Sequence, residues 1–319
     1  MKDTHRNVWR AQGALEEGER MIKLFASDLD GTLLNATHMV DPVIVSALRT
    51  VTKSGAHFAV ATGRTMRSPN DFGFHGVGIE AVCSNGSIIL DRDGNTIYHS
   101  DVDKGVLEEM LRTFPQVCFE CVGLDRTYVT GSPQDQLAGF VATGAIEKVK
   151  MAAMRIRRRQ MQADCVHNQS VSDVLSHSIC KINARVSDPS LDGELKDFLS
   201  SHADKVVNAP FSPVMFEITN VGVDKGAALA WLASYFGYSA DEVAVYGDGG
   251  NDIAMLQRFT HAYATSNGGD AAKLAAGNVI GSCAFHTVPR HMVKTVREQG
   301  SVSSPNADAD KGSGYVRID

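Results

Sequence analysis

The chain has 319 residues, 43% of them hydrophobic and 21% charged, enough to bury a large core in one big or two medium domains. With 31 Lys and Arg against 37 Asp and Glu, its formal charge of -6 gives no electrostatic case for nucleic acid as the main partner, although local cations could still meet a phosphorylated ligand. No apolar span reaches transmembrane length and the six cysteines are scattered, so we expect a soluble protein of a reducing, cytoplasmic compartment with no membrane partner.

Met1 to Arg20 is polar and charged without an apolar run, which reads as neither a secretory signal nor an anchor. Because Met21 directly precedes the first strand, residues 1–20 are expected to be a disordered leader or the result of an upstream start, with a structural helix as the alternative. Ile22 to Ser27 is a short apolar strand that runs into Asp28, Pro42 to Ser54 an amphipathic helix, and His57 to Ala61 a second strand. Strand, helix and strand with this connection form a right-handed parallel crossover, so the fold class is α/β, with an open doubly wound parallel sheet and ligands at the carboxyl ends of its strands. Ala81 to Cys83, Ile88 to Leu90 and Thr96 to Tyr98 follow as strands, punctuated by the turn dipeptides Asn85-Gly86 and Asp93-Gly94.

From Asp101 to Val207 the parallel pattern stops, and helical stretches such as Lys104 to Thr113 mix with strand-like pieces such as Cys180 to Val186. A separate inserted α+β domain is expected over 101–207, between core segments 21–100 and 208–297, with the parallel pattern resuming near Phe216. Cys118 and Cys121 have the C-x-x-C spacing of a redox or metal pair, but in a strand-like run positions i and i+3 face opposite sides. Lys148, Lys150 and Arg155, Arg157, Arg158 and Arg159 form the one basic cluster, either a solvated helix face or a lure for anionic substrates. Lys225 to Phe236 is helical, Val243 to Tyr246 a strand, Asn251 to Arg258 a helix and His261 to Thr265 a last short strand. Beyond Arg297 the composition is that of a disordered tail over 298–319.

Asp28-Leu29-Asp30-Gly31-Thr32 puts two carboxylates just past a buried strand beside a glycine that permits a sharp turn. Taken alone these are ordinary turn residues. Three later elements fall at equivalent strand or helix ends: Thr62-Gly63-Arg64, Lys225, and Gly247-Asp248-Gly249-Gly250-Asn251-Asp252. Singly, each has a plain structural reading as a surface lysine or a helix cap; together they converge where a doubly wound fold keeps its ligands.

The order DLDGTLL, ATGR, DKG and GDGGND resembles the four motifs of haloacid dehalogenase superfamily phosphatases, and an insert between the second and third motifs resembles the Cof-like subfamily with a type IIB cap. The resemblance implies a Mg²⁺-dependent phosphatase acting on a small phosphorylated metabolite such as a sugar phosphate. Asp28 would be the nucleophile that becomes an aspartyl phosphate, and Asp30 the acid and then the base. Asp28, the Asp30 backbone carbonyl and Asp248 would hold Mg²⁺, with Asp252 in support, while Thr62, Gly63, Lys225 and Asn251 would bind the phosphoryl oxygens. A cation is needed because a carboxylate ~3 Å from a phosphate dianion at an effective dielectric of ~20 meets roughly 11 kcal/mol of repulsion.

Tyr263 to Asn267 stands where the family commonly has Met-Gly-Asn, and Gly281 to His286 replaces its usual acidic segment, so the support around the metal side departs from the pattern. Asn85-Gly86 matches a pair that Cof-like proteins carry near substrate and is equally a tight-turn dipeptide; Arg64 reads as a solvated charge or a substrate contact. A phosphotransferase or mutase, or a non-catalytic phosphometabolite-binding protein, is the alternative to a hydrolase, and a monomer or small homo-oligomer is expected. Trp231 and the other aromatics have core-like spacing without a basic stripe, which agrees with the absence of a nucleic-acid role.

Overall fold

The computed structural model describes residues 21–35, 38–74, 76–138, 164–209 and 215–302. Its first half gives Leu24–Ser27 (β1), Pro42–Lys53 (α1), His57–Ala61 (β2), Glu80–Cys83 (β3), Ile88–Leu90 (β4), Thr96–His99 (β5), Lys104–Thr113 (α2), Glu120–Gly123 (β6), Thr127–Val129 (β7) and Pro133–Ala138 (α3). There follow Cys165–Val166 (β8), Val171–Leu175 (α4), Ile179–Arg185 (β9), Pro189–Ser201 (α5), Val206–Asn208 (β10), Met215–Asn220 (β11) and Lys225–Tyr235 (α6). Val243–Gly247 (β12), Ile253–Arg258 (α7), His261–Thr265 (β13), Asp270–Ala276 (α8), Val279–Ile280 (β14) and Thr287–Val302 (α9) complete it.

Two sheets result. The first has eight strands in the order β14-β13-β12-β1-β2-β3-β4-β5, parallel from β14 to β3 and antiparallel over β3-β4-β5. Its central strands are buried on both faces, so β1 reads as an uninterrupted apolar run: Phe25 enters one core with Leu48 of α1 and Met292 of α9, while Leu24 and Ala26 enter another with Leu229 of α6 and Met255 of α7. Helices therefore cover both faces, as a doubly wound sheet requires. The second sheet, β10-β11-β9-β6-β7-β8, packs Ile182, Phe216 and Ile218 against α2, α4 and α5 on one side. No helix among the described residues is long and apolar enough to cross a membrane.

Two boundaries differ from the sequence reading. β11, at Met215–Asn220, pairs antiparallel with β9 and β10 in the second sheet, so that sheet extends past residue 207 and the parallel pattern resumes only with β12. Met215 to Thr219 are all buried, and a strand covered on both faces looks the same in sequence whichever way its neighbours run. Helix α9 continues through Val302, beyond the predicted end of order at Arg297. Residues 1–20, the basic cluster at 148–159 and residues 303–319 lie outside the described residues.

Helix α1 shows how local sequence anchors an element. Pro42 occupies its first turn, the Asp41 carboxylate accepts the Val43 and Ile44 amides, and Ile44, Leu48 and Val51 form one buried stripe. Asp41 also accepts from His286 Nε2 (2.6 Å) ahead of α9 and from Asn35 (2.9 Å). Burial pushes its carboxyl up, but the hydrogen bonds from His286, Asn35 and the Ile44 amide outweigh burial and hold it at about 2. A depressed carboxyl stabilises the fold above its ordinary pKa, and that contribution fades as pH falls through about 2. Asp41→Ala should lower stability at pH 7 by about 1–2 kcal/mol in urea unfolding, with the gap to wild type narrowing from pH 4 downward; a gap independent of pH would remove the ionic part of this account.

Candidate active site

The strands β12, β1, β2 and β3 are adjacent and parallel, so their carboxyl ends share one edge. β1 delivers Asp28 there, and the chain then turns through Asp30 and Gly31, the latter at φ +81, a conformation that favours glycine. Gly31 is also required by space, since a Cβ would fall inside the Asp248 carboxylate. Thr32, buried in the same turn, donates to Asp248 Oδ1 (2.9 Å). After β12, Asp252 folds back so that its Oδ2 accepts the amides of Asp248 and Gly249, each at 2.9 Å. Lys225 enters from the first turn of α6, capped by Asp224; it is 1% exposed and donates to Asp28 Oδ1 (2.6 Å) and Asp252 Oδ1 (2.7 Å).

The charges in this cluster do not balance among the described residues. Oxygens of Asp28, Asp248 and Asp252 lie within 4.8 Å of one another, and among the described residues the one cation bonded to them is the Lys225 ammonium. Burial pushes the Asp28 carboxyl up to about 7; Lys225 pulls it down, while Asp252 and Asp248 push it up again. Burial likewise raises Asp248, which Thr32 only partly offsets. Burial works against the Lys225 ammonium, but Asp252 and Asp28 outweigh it and hold its pKa above the ordinary lysine value. A trio short of positive charge, buried at Asp28 and Asp252 and partly buried at Asp248, is made of hard oxygen donors and suits a divalent cation.

Beside this cluster, Thr62 is buried and its Oγ1 accepts the Arg64 amide (3.1 Å). Gly63 faces Asn85, against which a Cβ would clash, and Asn251 Nδ2 donates to Asn85 Oδ1 (3.3 Å). Asn85 is therefore both a turn residue, at φ +59, and part of the cleft lining; its Nδ2 is buried without a partner in the described structure.

Asp30 stands apart from the other carboxylates. Arg64, read from sequence as a solvated charge or a substrate contact, holds it with both Nε (2.7 Å) and Nη2, and stacks on Phe72 with 4.9 Å to the ring centroid. His38 Nδ1 lies 3.3 Å from the same carboxylate. The Asp30 carboxylate, held by Arg64, is not part of the close group of oxygens from Asp28, Asp248 and Asp252.

Comparison with known proteins decides the family. Residues 25–291 match the model of the haloacid dehalogenase-like hydrolases. The chain belongs to that family. Phosphatase YwpJ of Bacillus subtilis is 26% identical over 294 residues, covering 86% of this chain and 99% of that protein. The HMP-PP phosphatase of Yersinia pseudotuberculosis is 24% identical over 278 residues, covering 85% and 94%. A solved haloacid dehalogenase-like hydrolase from B. subtilis superposes with a TM-score of 0.71 at 25% identity, covering 86% of this chain and 99% of that one. This haloacid dehalogenase-like hydrolase is accordingly an enzyme of the phosphoric monoester hydrolase class.

Within this family frame, one edge carries Asp28, Thr62, Gly63, Lys225, Asp248, Asn251 and Asp252, while Asp30 is drawn aside by Arg64. Sequence reasoning overlooked Thr32 as the Asp248 partner and His38 beside Asp30. The departing segment after β13 still serves the site: Asn267 Nδ2 (2.8 Å) and Thr265 Oγ1 (3.2 Å) both donate to the Gly31 carbonyl. Cys118 is partly buried and Cys121 fully so, and burial pushes the Cys118 thiol up to about 11. Lys225→Met should cost roughly 3–5 kcal/mol of stability without added metal, because two buried carboxylates lose their counterion; guanidinium unfolding measures it, and a loss below 1 kcal/mol would contradict the assigned network.

Proposed function

We propose that the chain is a Mg²⁺-dependent phosphatase that hydrolyses a small phosphate monoester, such as a sugar phosphate, through an aspartyl phosphate on Asp28. The observation that carries this reading is the placement of Asp28: at the end of a buried strand, oriented by Lys225, and crowded by Asp248 and Asp252. Asp28, Asp248 and the Asp30 backbone carbonyl would hold the metal. Both oxygens of Asp252 are already engaged by Lys225 and two amides, so its role is to support the other ligands. When bound, Mg²⁺ supplies the positive charge that lets a carboxylate approach a phosphate dianion.

The remaining steps fall to the chain. The Asp28 carboxylate attacks phosphorus in line with the leaving oxygen, and the P–O bond to the alcohol breaks as Asp30 protonates that oxygen. Asp30 then takes a proton from water, which attacks the phosphoryl group and returns Asp28 with inorganic phosphate. Thr62, the Gly63 amide, Lys225 and Asn251 face the transferring oxygens with donors already in position. Arg64 grips the Asp30 carboxylate, so Asp30 must leave Arg64 to reach the leaving oxygen, which makes that ion pair a resting arrangement.

The six-stranded unit acts as a cap in this reading, seated so close that Lys181 of β9 touches the Gly63 carbonyl, and a close roof favours small substrates. The HMP-PP phosphatase relative, named for a small phosphorylated compound, supports the same class. With p-nitrophenyl phosphate, wild type should turn over in Mg²⁺ and stop with chelator. Asp28→Asn should lose at least about 10³-fold, and acid quenching should trap phosphate on wild type alone. Folded wild type without turnover, or an active Asp28→Asn, would refute the proposal.

A further inference from the structure

The six-stranded sheet buries a cation that the catalytic cluster does not use. Lys181, on β9, is 1% exposed and its ammonium has two partners. One is the carboxylate of Glu217 on neighbouring β11, itself 6% exposed. The other lies in the turn that follows β2 of the eight-stranded sheet: Lys181 Nζ donates to the Gly63 carbonyl at 3.0 Å. Desolvating both members of an ion pair is costly, so an apolar pair would serve packing at least as well.

The hydrogen bonds of the Thr62-Gly63-Arg64 turn show what the cation does. The Thr62 carbonyl accepts the Asn85 amide (3.1 Å) and the Arg64 carbonyl accepts the Ser84 amide (2.9 Å), both from the turn that follows β3. The Gly63 carbonyl takes its bond from Lys181 instead. The peptide between Gly63 and Arg64 is therefore fixed at both ends, its C=O by Lys181 and its N–H by Thr62 Oγ1 (3.1 Å). With Oγ1 already accepting, the Thr62 hydroxyl proton is directed to another acceptor, which in the phosphatase reading is a phosphoryl oxygen.

We infer that Lys181, anchored by Glu217, is a positioning residue that completes the phosphate-binding turn only when the six-stranded sheet is seated on it, so that seating the cap and ordering the turn are a single event. This rests on the proposed phosphatase function for its consequence on turnover, but not for its consequence on the turn itself.

The test is Lys181→Met/Glu217→Leu, which removes both charges and so leaves no unpaired ion in the interior. Its melting temperature should stay near that of wild type, while amide exchange at Arg64 accelerates at least about tenfold and kcat/KM for p-nitrophenyl phosphate falls about 10- to 100-fold, the size of a lost charge-assisted hydrogen bond. Inhibition by orthovanadate should weaken about tenfold alongside. Lys181→Arg, which keeps charge and donors, should recover most of the loss. Should the double variant not fold, Glu217→Gln loosens the anchor alone and should still speed Arg64 exchange. A stable double variant with exchange, turnover and vanadate inhibition all within twofold of wild type overturns the inference. Inactive wild type whose Arg64 exchange still depends on Lys181 would instead sink the phosphatase reading and leave this one standing.

Discussion

The buried ammonium of Lys225, shared between Asp28 and Asp252, is the contact on which the catalytic edge depends. It joins the end of β1 to the turn after β12, and both turns bring further groups with them. Asp252 uses its other oxygen to shape the Asp248 and Gly249 amides, and Asp248 in turn is braced by Thr32 from the first turn. One cation thus sets the mutual position of three carboxylates that would otherwise repel one another in a desolvated site. The residual excess of negative charge is the property a hard divalent ion would complement.

Much of this was legible in the sequence because the parallel sheet announces itself. Apolar runs that end in Asp28, Thr62 and Asp248 mark the carboxyl ends of buried strands, and the crossover rule places those ends together. The end of the inserted unit was less legible, since Met215 to Thr219 is buried throughout, as a core strand is. Arg64 was read without its partner, because nothing in a linear sequence shows that it meets Asp30. Lys181 did leave a trace. In β9 the polar Lys181, Asn183 and Arg185 alternate with Cys180, Ile182 and Ala184, a period of two that marks a strand with one polar face, though not what that face meets.

Departures from a family motif need not empty the positions that the motif serves. Thr265 and Asn267 come from a segment unlike the usual one, yet both reach the Gly31 carbonyl, and Asn267 also accepts the Cys283 amide from the second unusual segment. What the site requires there is donors aimed at one carbonyl, and different side chains can supply them. The interface between the sheets follows similar logic: Arg67, from the first sheet's loop, donates to Asp164, to the Gly123 and Leu124 carbonyls and to Thr127. A planar fork of five donors suits a surface made largely of backbone oxygens.

The pairing of β1 with β12 sets Leu24 beside Val243, with the whole six-stranded sheet lying between them in the chain. As the polypeptide leaves the ribosome, everything needed for the second sheet has emerged by Asn220, while β1 still lacks one of its two neighbours. Closing so long a loop costs entropy that is returned only when β12 docks, so the catalytic edge cannot be complete before β12 is in place. A chain interrupted before β12 can carry a finished inserted sheet and yet have neither Asp248 nor the second carboxylate that Lys225 needs.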